Sequence, residues 1–259
     1  MSVDAALSNV ERQECLLRFV EQRQRVTVAD MCDQFGISVA TARRDLEALA
    51  ERGSVRRIHG GALAIHRAPP ELPALQRAGE QADQKRRIGQ ATAALVADGE
   101  TIFLSSGTTT LEVARSLRGQ RRLTVITNSL LVLNELADAP AITLVALGGL
   151  LRRSEMSFIG HITEQALAEV RADKVIIGIR AIDAEQGLTN DFLPETMTDR
   201  AITRIAREVI VAADHSKCGR VSAAFVAPLN IMSTLVTDSG TSPEFIDALI
   251  AQGIRVLAA

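Results

Sequence analysis

The chain has 259 residues, of which 47% are apolar, 23% charged and 3% aromatic; this is a globular composition and excludes a disordered, collagenous or low-complexity chain. The net charge of −2 hides an asymmetry, because residues 36–67 hold six arginines against three acids while the rest is acidic, the layout of a two-part protein. Trp and Tyr are absent, which argues against a lectin-like or single-strand-binding surface built on ring stacking.

In chain order, ERQECLLRFVEQ (11–22) sets Leu16, Phe19 and Val20 on one helical face. The first twenty residues carry three acids and no signal-peptide core, so a cytoplasmic location is expected. VTVADMCDQFG follows; Thr27 caps a short helix that buries Val28, Met31 and Phe35 and stops at Gly36. Ser38 caps a third helix with a buried stripe of Val39, Ala42, Leu46 and Leu49, ending at Gly53. Helix, Gly-containing turn and Ser-capped helix make a helix-turn-helix. Thr41, Arg43 and Arg44 stand near the start of the third helix, where such a helix meets base edges and phosphates. An arginine pairing with guanine in two places discriminates by ~1–3 kcal/mol. SVRRIHGGALAI alternates like a two-stranded wing turning at Gly60-Gly61, which brings Arg56, Arg57 and His59 to the DNA backbone or minor groove. A three-helix packing module with solvated arginines is the plain alternative, and the Ser38 turn, the paired arginines and the arginine wing together favour DNA.

Pro69, Pro70 and Pro73 mark residues 64–80 as a joint. The chain is thus divided into a winged helix-turn-helix at 1–63, a linker at 64–80 and an α/β sensor at 81–259. Beyond the joint, seven short apolar runs alternate with helical stretches: TIFLS (101–105), LTVIT (123–127), ITLVAL (142–147), KVIIGI (174–179), VIVAA (209–213), STLVT (233–237) and IRVLA (254–258). Runs apolar on both faces and separated by helix-length gaps predict a mostly parallel sheet covered by helices. None of the apolar runs approaches the ~20 residues of a membrane helix. Cys15, Cys32 and Cys218 are odd in number and far apart, so they read as reduced, buried thiols rather than a disulfide framework or metal pair.

The sharpest chemical feature is SSGTTT: Ser105, Ser106, Gly107, Thr108, Thr109 and Thr110, between a strand and a helix. Turned backbone amides, hydroxyls and a helix N-terminus make an anion cradle. The P-loop spacing and its lysine are missing, so no nucleotide is implied. Further strand ends carry Asn128-Ser129, Gly148-Gly149 and Asp214 to Lys217, and ligands of open parallel sheets bind beyond the strands' carboxyl ends. Each of these is also ordinary turn chemistry taken singly; together they make a shared pocket the better reading, with Lys217 as the phosphate's point charge. No metal or cofactor is expected.

The stretch 26–62, with Arg43-Arg44-Asp45-Leu46 and Arg57-Ile58-His59-Gly60-Gly61-Ala62, resembles the winged helix-turn-helix of the DeoR family of bacterial transcriptional regulators. Ala42 stands where that family more often has Ile. SSGTTT, TVITNSL, LGGLLR, residues 173–178, GLT at 187–189, ADHSK and LVTD at 235–238 are similar to the same family's sensor domain. The resemblance implies a fold shared with ribose-5-phosphate isomerase and glucosamine-6-phosphate deaminase, and a phosphorylated sugar held around Gly107–Thr109 and Lys217. Ser105 and Arg180 depart from the family, which often has Asp and a small residue there; Arg180 would suit an effector with extra negative charge.

The expected function is a DNA-binding transcriptional regulator, by resemblance a repressor of carbohydrate-metabolism genes. Its expected partners are double-stranded operator DNA and a phosphorylated sugar, and it is expected to act as a homo-oligomer. The alternatives are a sugar-phosphate isomerase or deaminase with an accessory DNA-binding domain, or a scaffold. Asp183, Asp191, Glu195 and Asp214 are the candidate general bases, but no spacing singles out a catalytic pair. A scaffold would need neither the arginine wing nor the threonine loop.

Overall fold

The computed structural model describes residues 8–65, 68–69, 72–119 and 122–259; Pro70 of the proline run lies outside them. The chain divides into two compact units between residues 66 and 67.

The first unit opens with α1 (Asn9–Arg23), whose N-cap Ser8 accepts from the Glu11 amide while the Glu11 carboxylate returns the bond. A short strand β1 (Arg25–Thr27) leads into α2 (Val28–Phe35), capped reciprocally by Thr27 and Asp30, and α3 (Val39–Glu51) starts at Ser38, which accepts from the Thr41 amide. Leu16, Val20, Met31 and Leu46 are fully buried and fuse the three helices into one core. Phe19 and Phe35 are half-buried and meet edge to face with centroids 5.4 Å apart. Val39 departs from its expected place: it is 50% exposed. Residues 38–40 are all exposed, so the first turn of α3 protrudes from the core and carries Val39 out with it.

The wing consists of β2 (Val55–Ile58) and β3 (Gly61–Ala64), and it has a third strand that the alternation alone did not reveal. The order is β1-β3-β2, all antiparallel. Ile58 pairs with Gly61, so the turn is His59-Gly60, one residue earlier than expected. Gly61 belongs to β3, where a Cβ would stand 2.1 Å from the Val26 carbonyl; the added strand β1 is what requires glycine there.

The second unit begins with α4 (Ala74–Arg77) and α5 (Ala82–Ala93), followed by β4 (Thr101–Leu104), α6 (Thr108–Leu117), β5 (Leu123–Thr127), α7 (Leu130–Leu136) and β6 (Ile142–Ala146). A hairpin of β7 (Leu150–Arg152) and β8 (Ser157–Ile159) precedes α8 (His161–Ala168) and β9 (Lys174–Ile177). Then come β10 (Ala181–Asp183), β11 (Gly187–Asn190), α9 (Leu193–Ile202), β12 (Glu208–Ala212), β13 (Ala224–Ala227), β14 (Thr234–Thr237), α10 (Pro243–Ile250) and β15 (Arg255–Ala258). The seven apolar runs are the seven strands of one sheet, ordered β15-β14-β12-β9-β4-β5-β6 with every neighbouring pair parallel.

Alternate residues serve opposite faces. Phe103, Val175, Val211 and Leu235 point into the core shared with Leu167, Ile202 and Leu249 of α8, α9 and α10. Ile102, Leu104, Ile176, Ile210 and Val236 point into the core shared with Ile88, Val113 and Val132 of α5, α6 and α7. This double burial is why the strands read as unbroken apolar runs. The small antiparallel sheet β10-β11-β13 lies apart from them and has no such run to announce it. The stretch 64–80 is not a uniform joint: Ala64 ends β3, and Ala74 and Arg77 are buried in the second unit. No helix among the described residues is long and apolar enough to cross a membrane.

Candidate functional site

In the first unit, α3 presents Arg43 and Arg44 exposed and Thr41 half-buried, and Ser38 serves as the cap. Arg57 and His59 on the wing are exposed and Arg56 is partly so. The Arg57 guanidinium donates to the Arg43 carbonyl at 3.1 Å, which ties the wing to the exposed helix and gathers the arginines on one rim. Asp45, the third letter of the Arg-Arg-Asp-Leu run, is 2% exposed and receives Arg12 at 2.7 Å and Gln13 at 3.2 Å. Desolvation pushes its carboxyl up, but the bonds from Arg12 and Gln13 and the charges of Arg12 and Arg44 outweigh that and hold it below its ordinary value.

In the second unit, β4, β5 and β6 run outward in one direction, after which the chain returns to place β9 on the other side of β4 and continues through β12. That reversal is a topological switch point, where a crevice opens at the strands' carboxyl ends. A cleft of about 790 Å³, solvent at its mouth included, lies there. Ser105, Ser106, Gly107, Thr108 and Thr109 line it from the β4 end, Arg180 from the β9 end, and Asp214 and Lys217 from the β12 end. Gly107 caps α6 at φ 134°, and no side chain caps the helix, so its first amides are left for a ligand. Asp214 accepts from the Ser216 amide at 3.0 Å and shapes the one-turn helix His215–Lys217. Asp238 braces that turn through the His215 amide at 2.7 Å and ring Nδ1 at 2.8 Å.

Thr110, Asn128, Ser129, Gly148 and Gly149 do not line this cleft. Thr110 is fully buried and donates to the Gly107 carbonyl at 2.9 Å, holding the loop from behind. Strands are ~4.8 Å apart, so the ends of β5 and β6 stand one and two strands beyond β4. Asn128 is taken by the β7–β8 hairpin, donating to the Phe158 carbonyl at 3.0 Å. Ser129 caps α7, and the Gly148 carbonyl accepts from Thr163 at 2.8 Å.

Sequence reasoning missed Arg77, Lys85, Arg152, Glu155, Asn190 and Asp199, all of which line the cleft. Lys85 is one of only three lysines in the chain, the one signal that pointed to it. It is 5% exposed and donates to the Arg77 carbonyl at 2.8 Å. Desolvation lowers its pKa, helped by the Arg77 and Lys217 charges and opposed by Asp214 and Glu80. Cations crowded in this way favour an incoming anion. The other end of the cleft is rich in carboxylates. Arg152 binds Glu195, lies 3.6 Å from Asp191 and stacks 4.4 Å over the Phe192 ring. Ser157 donates to Glu195 at 2.8 Å, and Asn190 donates to Asp199. Desolvation and the Glu195 charge raise the Asp199 carboxyl well above its ordinary range. Of the four candidate bases, Asp191, Glu195 and Asp214 line the cleft; Asp183 instead receives the Glu185 and Gln186 amides at 2.9 Å in the β10–β11 turn. The cysteines are all free and half-buried rather than buried, and burial pushes the Cys218 thiol up to about 11.

A DeoR-like helix-turn-helix domain matches residues 12–68, and a DeoR C terminal sensor domain matches residues 80–239. Over 235 residues the chain is 35% identical to the transcriptional repressor AccR of Agrobacterium fabrum, covering 90% of this chain and 91% of that one. It is 31% identical over 233 residues to the glycerol-3-phosphate regulon repressor of Escherichia coli, covering 90% and 92%. Ribose 5-phosphate isomerase A from Methanocaldococcus jannaschii overlaps 54% of this chain and 55% of its own at 20% identity and a TM-score of 0.41. The two domain matches, which follow one another along the chain, and the 35% identity to AccR lead to one conclusion: the chain belongs to the DeoR family of DNA-binding transcriptional regulators.

Proposed function

We propose that the protein is a cytoplasmic, homo-oligomeric repressor of carbohydrate-metabolism genes whose grip on operator DNA is governed by a phosphorylated sugar in the cleft at the β4–β9 switch point. The observation that carries this reading is the meeting of the uncapped α6 N-terminus and its Ser105–Thr109 loop with Lys85, Lys217 and Arg180 around one cavity. The loop amides with Lys85 and Lys217 suit a phosphate, and Glu195, Asp199 and Asn190, the last of which accepts from the Arg180 amide at 3.1 Å, suit sugar hydroxyls. The relative named for the glycerol-3-phosphate regulon is consistent with a small phosphorylated polyol as the signal. On the DNA side, Thr41, Arg43 and Arg44 serve base edges and phosphates, and Arg56, Arg57 and His59 serve the flanking backbone.

Binding without turnover is favoured by the curated relatives, which are named as transcriptional repressors; within the cleft, Glu195 is tied to Arg152 and Ser157, Asp199 to Asn190, and Asp214 to the Ser216 amide. The test is thermal denaturation of the full chain with ribose 5-phosphate, glucose 6-phosphate and glycerol 3-phosphate, each beside its unphosphorylated parent. At a hundredfold excess over Kd a ligand stabilises by about 2.7 kcal/mol, and for a chain of this size each kcal/mol moves Tm by roughly 2–4 °C. A shift confined to a phosphorylated member, and lost in Lys217→Ala, is the expected result. Equal shifts with the parents, or a Lys217→Ala protein that responds normally, would overturn the assignment.

A further inference from the structure

Two of the cations that line the cleft, Arg180 and Lys85, also hold the backbone through which the second unit begins, and a third, Arg77, belongs to that backbone and anchors it. Arg180 donates from Nη2 to the Pro69 carbonyl. Arg77 donates from Nε to the Leu72 carbonyl at 2.7 Å and pairs with Glu155 at 2.5 Å. Lys85 donates to the Arg77 carbonyl at 2.8 Å. Among the described residues two backbone bonds add to the attachment: the Ala68 amide to the Val221 carbonyl at 2.9 Å and the Ala74 amide to the Ser154 carbonyl at 2.7 Å. Apolar packing contributes little, because Ala74 is buried while Leu72 and Leu75 are 49% and 65% exposed. Residues 68–69 and 72–77 therefore form a strap held mainly by polar contacts, and the two side chains that donate to it from outside, Arg180 and Lys85, line the same cavity an effector would fill.

We propose that effector and strap compete for the two outside cations, so that an anion in the cleft draws Arg180 and Lys85 off the strap's carbonyls and loosens the segment that continues directly into the DNA-reading head. This rests on the reading of the cleft as an anion site. A carbonyl is a neutral acceptor and a phosphate oxygen a charged one, so the exchange favours the anion. The strap can loosen ahead of Arg77 while the buried Arg77–Glu155 pair stays intact, because few apolar contacts hold residues 68–69 and 72–75. The relation is reciprocal: a strap held shut lowers the apparent affinity of the effector, and freeing the strap raises it.

Hydrogen–deuterium exchange on the full chain, with and without saturating inorganic phosphate, tests this directly. The amides of residues 105–110 should become protected, while those of residues 72–77, Ala74 among them, should exchange faster by roughly tenfold. In Arg180→Met the strap should already exchange faster without phosphate, and phosphate should add less. Protection at 105–110 with unchanged or slower exchange at 72–77 would sink the competition and leave the anion site standing. Absence of protection at 105–110 would remove the anion site and the competition together. Wild-type strap exchange in Arg180→Met would overturn the clasp itself.

Discussion

Arg44 and Asp45 are neighbours on α3 with opposite surroundings, one exposed and the other 2% exposed. Arg44 contributes nothing to the core, so Arg44→Ala should leave Tm within the scatter of a surface change while weakening operator binding by ~1–3 kcal/mol if it reads a guanine; fluorescence anisotropy on operator DNA measures it. Asp45 is the reverse case. Asp45→Asn should lower the stability of the first unit by about 1–3 kcal/mol, because Arg12 loses its charged partner. The folded carboxyl titrates below its unfolded value, so this stabilisation is fully present above about pH 4 and disappears as pH falls through the folded pKa. The difference in Tm between the native protein and Asp45→Asn should therefore shrink as melts are run from pH 7 toward pH 3. A difference that stays constant with pH would mean that Asp45 acts by packing and not by charge.

At the scale of elements, the contact between α5 and α6 builds the anion end of the cleft. Gly89 lies on the face of α5 that meets α6, and a Cβ there would come within 2.7 Å of the Glu112 backbone. Lys85 is four residues earlier on the same helix and so shares that face, which is how a helix outside the strand-end loops delivers a lysine to the cleft. Gly89→Ala improves helix propensity by ~1 kcal/mol but forces the helices apart at a cost of roughly 1–3 kcal/mol. The expected net effect is a lower Tm for the second unit and a blunted response to phosphate, read by the same thermal melts; a more stable protein with a normal response would contradict the close-contact account. Much of this level was legible beforehand. Ser38 and Thr27 announced their helices, and the seven apolar runs announced the parallel sheet, because caps and periodicity are local signals. The third strand of the wing and the sheet β10-β11-β13 were not legible, since short strands acquire partners only by distant pairing.

For the whole molecule, control of DNA by a sugar phosphate requires a coupling free energy shared by both ligands. Titrating ribose 5-phosphate, or whichever phosphorylated sugar raises Tm, in the presence and absence of operator should give affinities that differ by about 5–150-fold, with the operator's affinity changing by the same factor. Equal affinities would mean that the two units act independently. The amino-acid sequence by itself determined the three helices of the head with the caps at Thr27 and Ser38, the seven strands of the parallel sheet, the arginine-rich head and the Ser-Ser-Gly-Thr-Thr-Thr turn, because these depend on neighbours a few residues apart. The tertiary structure alone decided which strand ends meet. The sequence lists the ends of β4, β5, β6, β9 and β12 on equal terms, and only the sheet order puts β4 beside β9 and β12. That order is a product of helices packing on both faces of the sheet. It is why Arg180 and Lys217 share a cavity with Gly107 while Asn128 and Gly148 do not, and why Lys85, Arg77 and Arg152 join them from elements with no site pattern of their own.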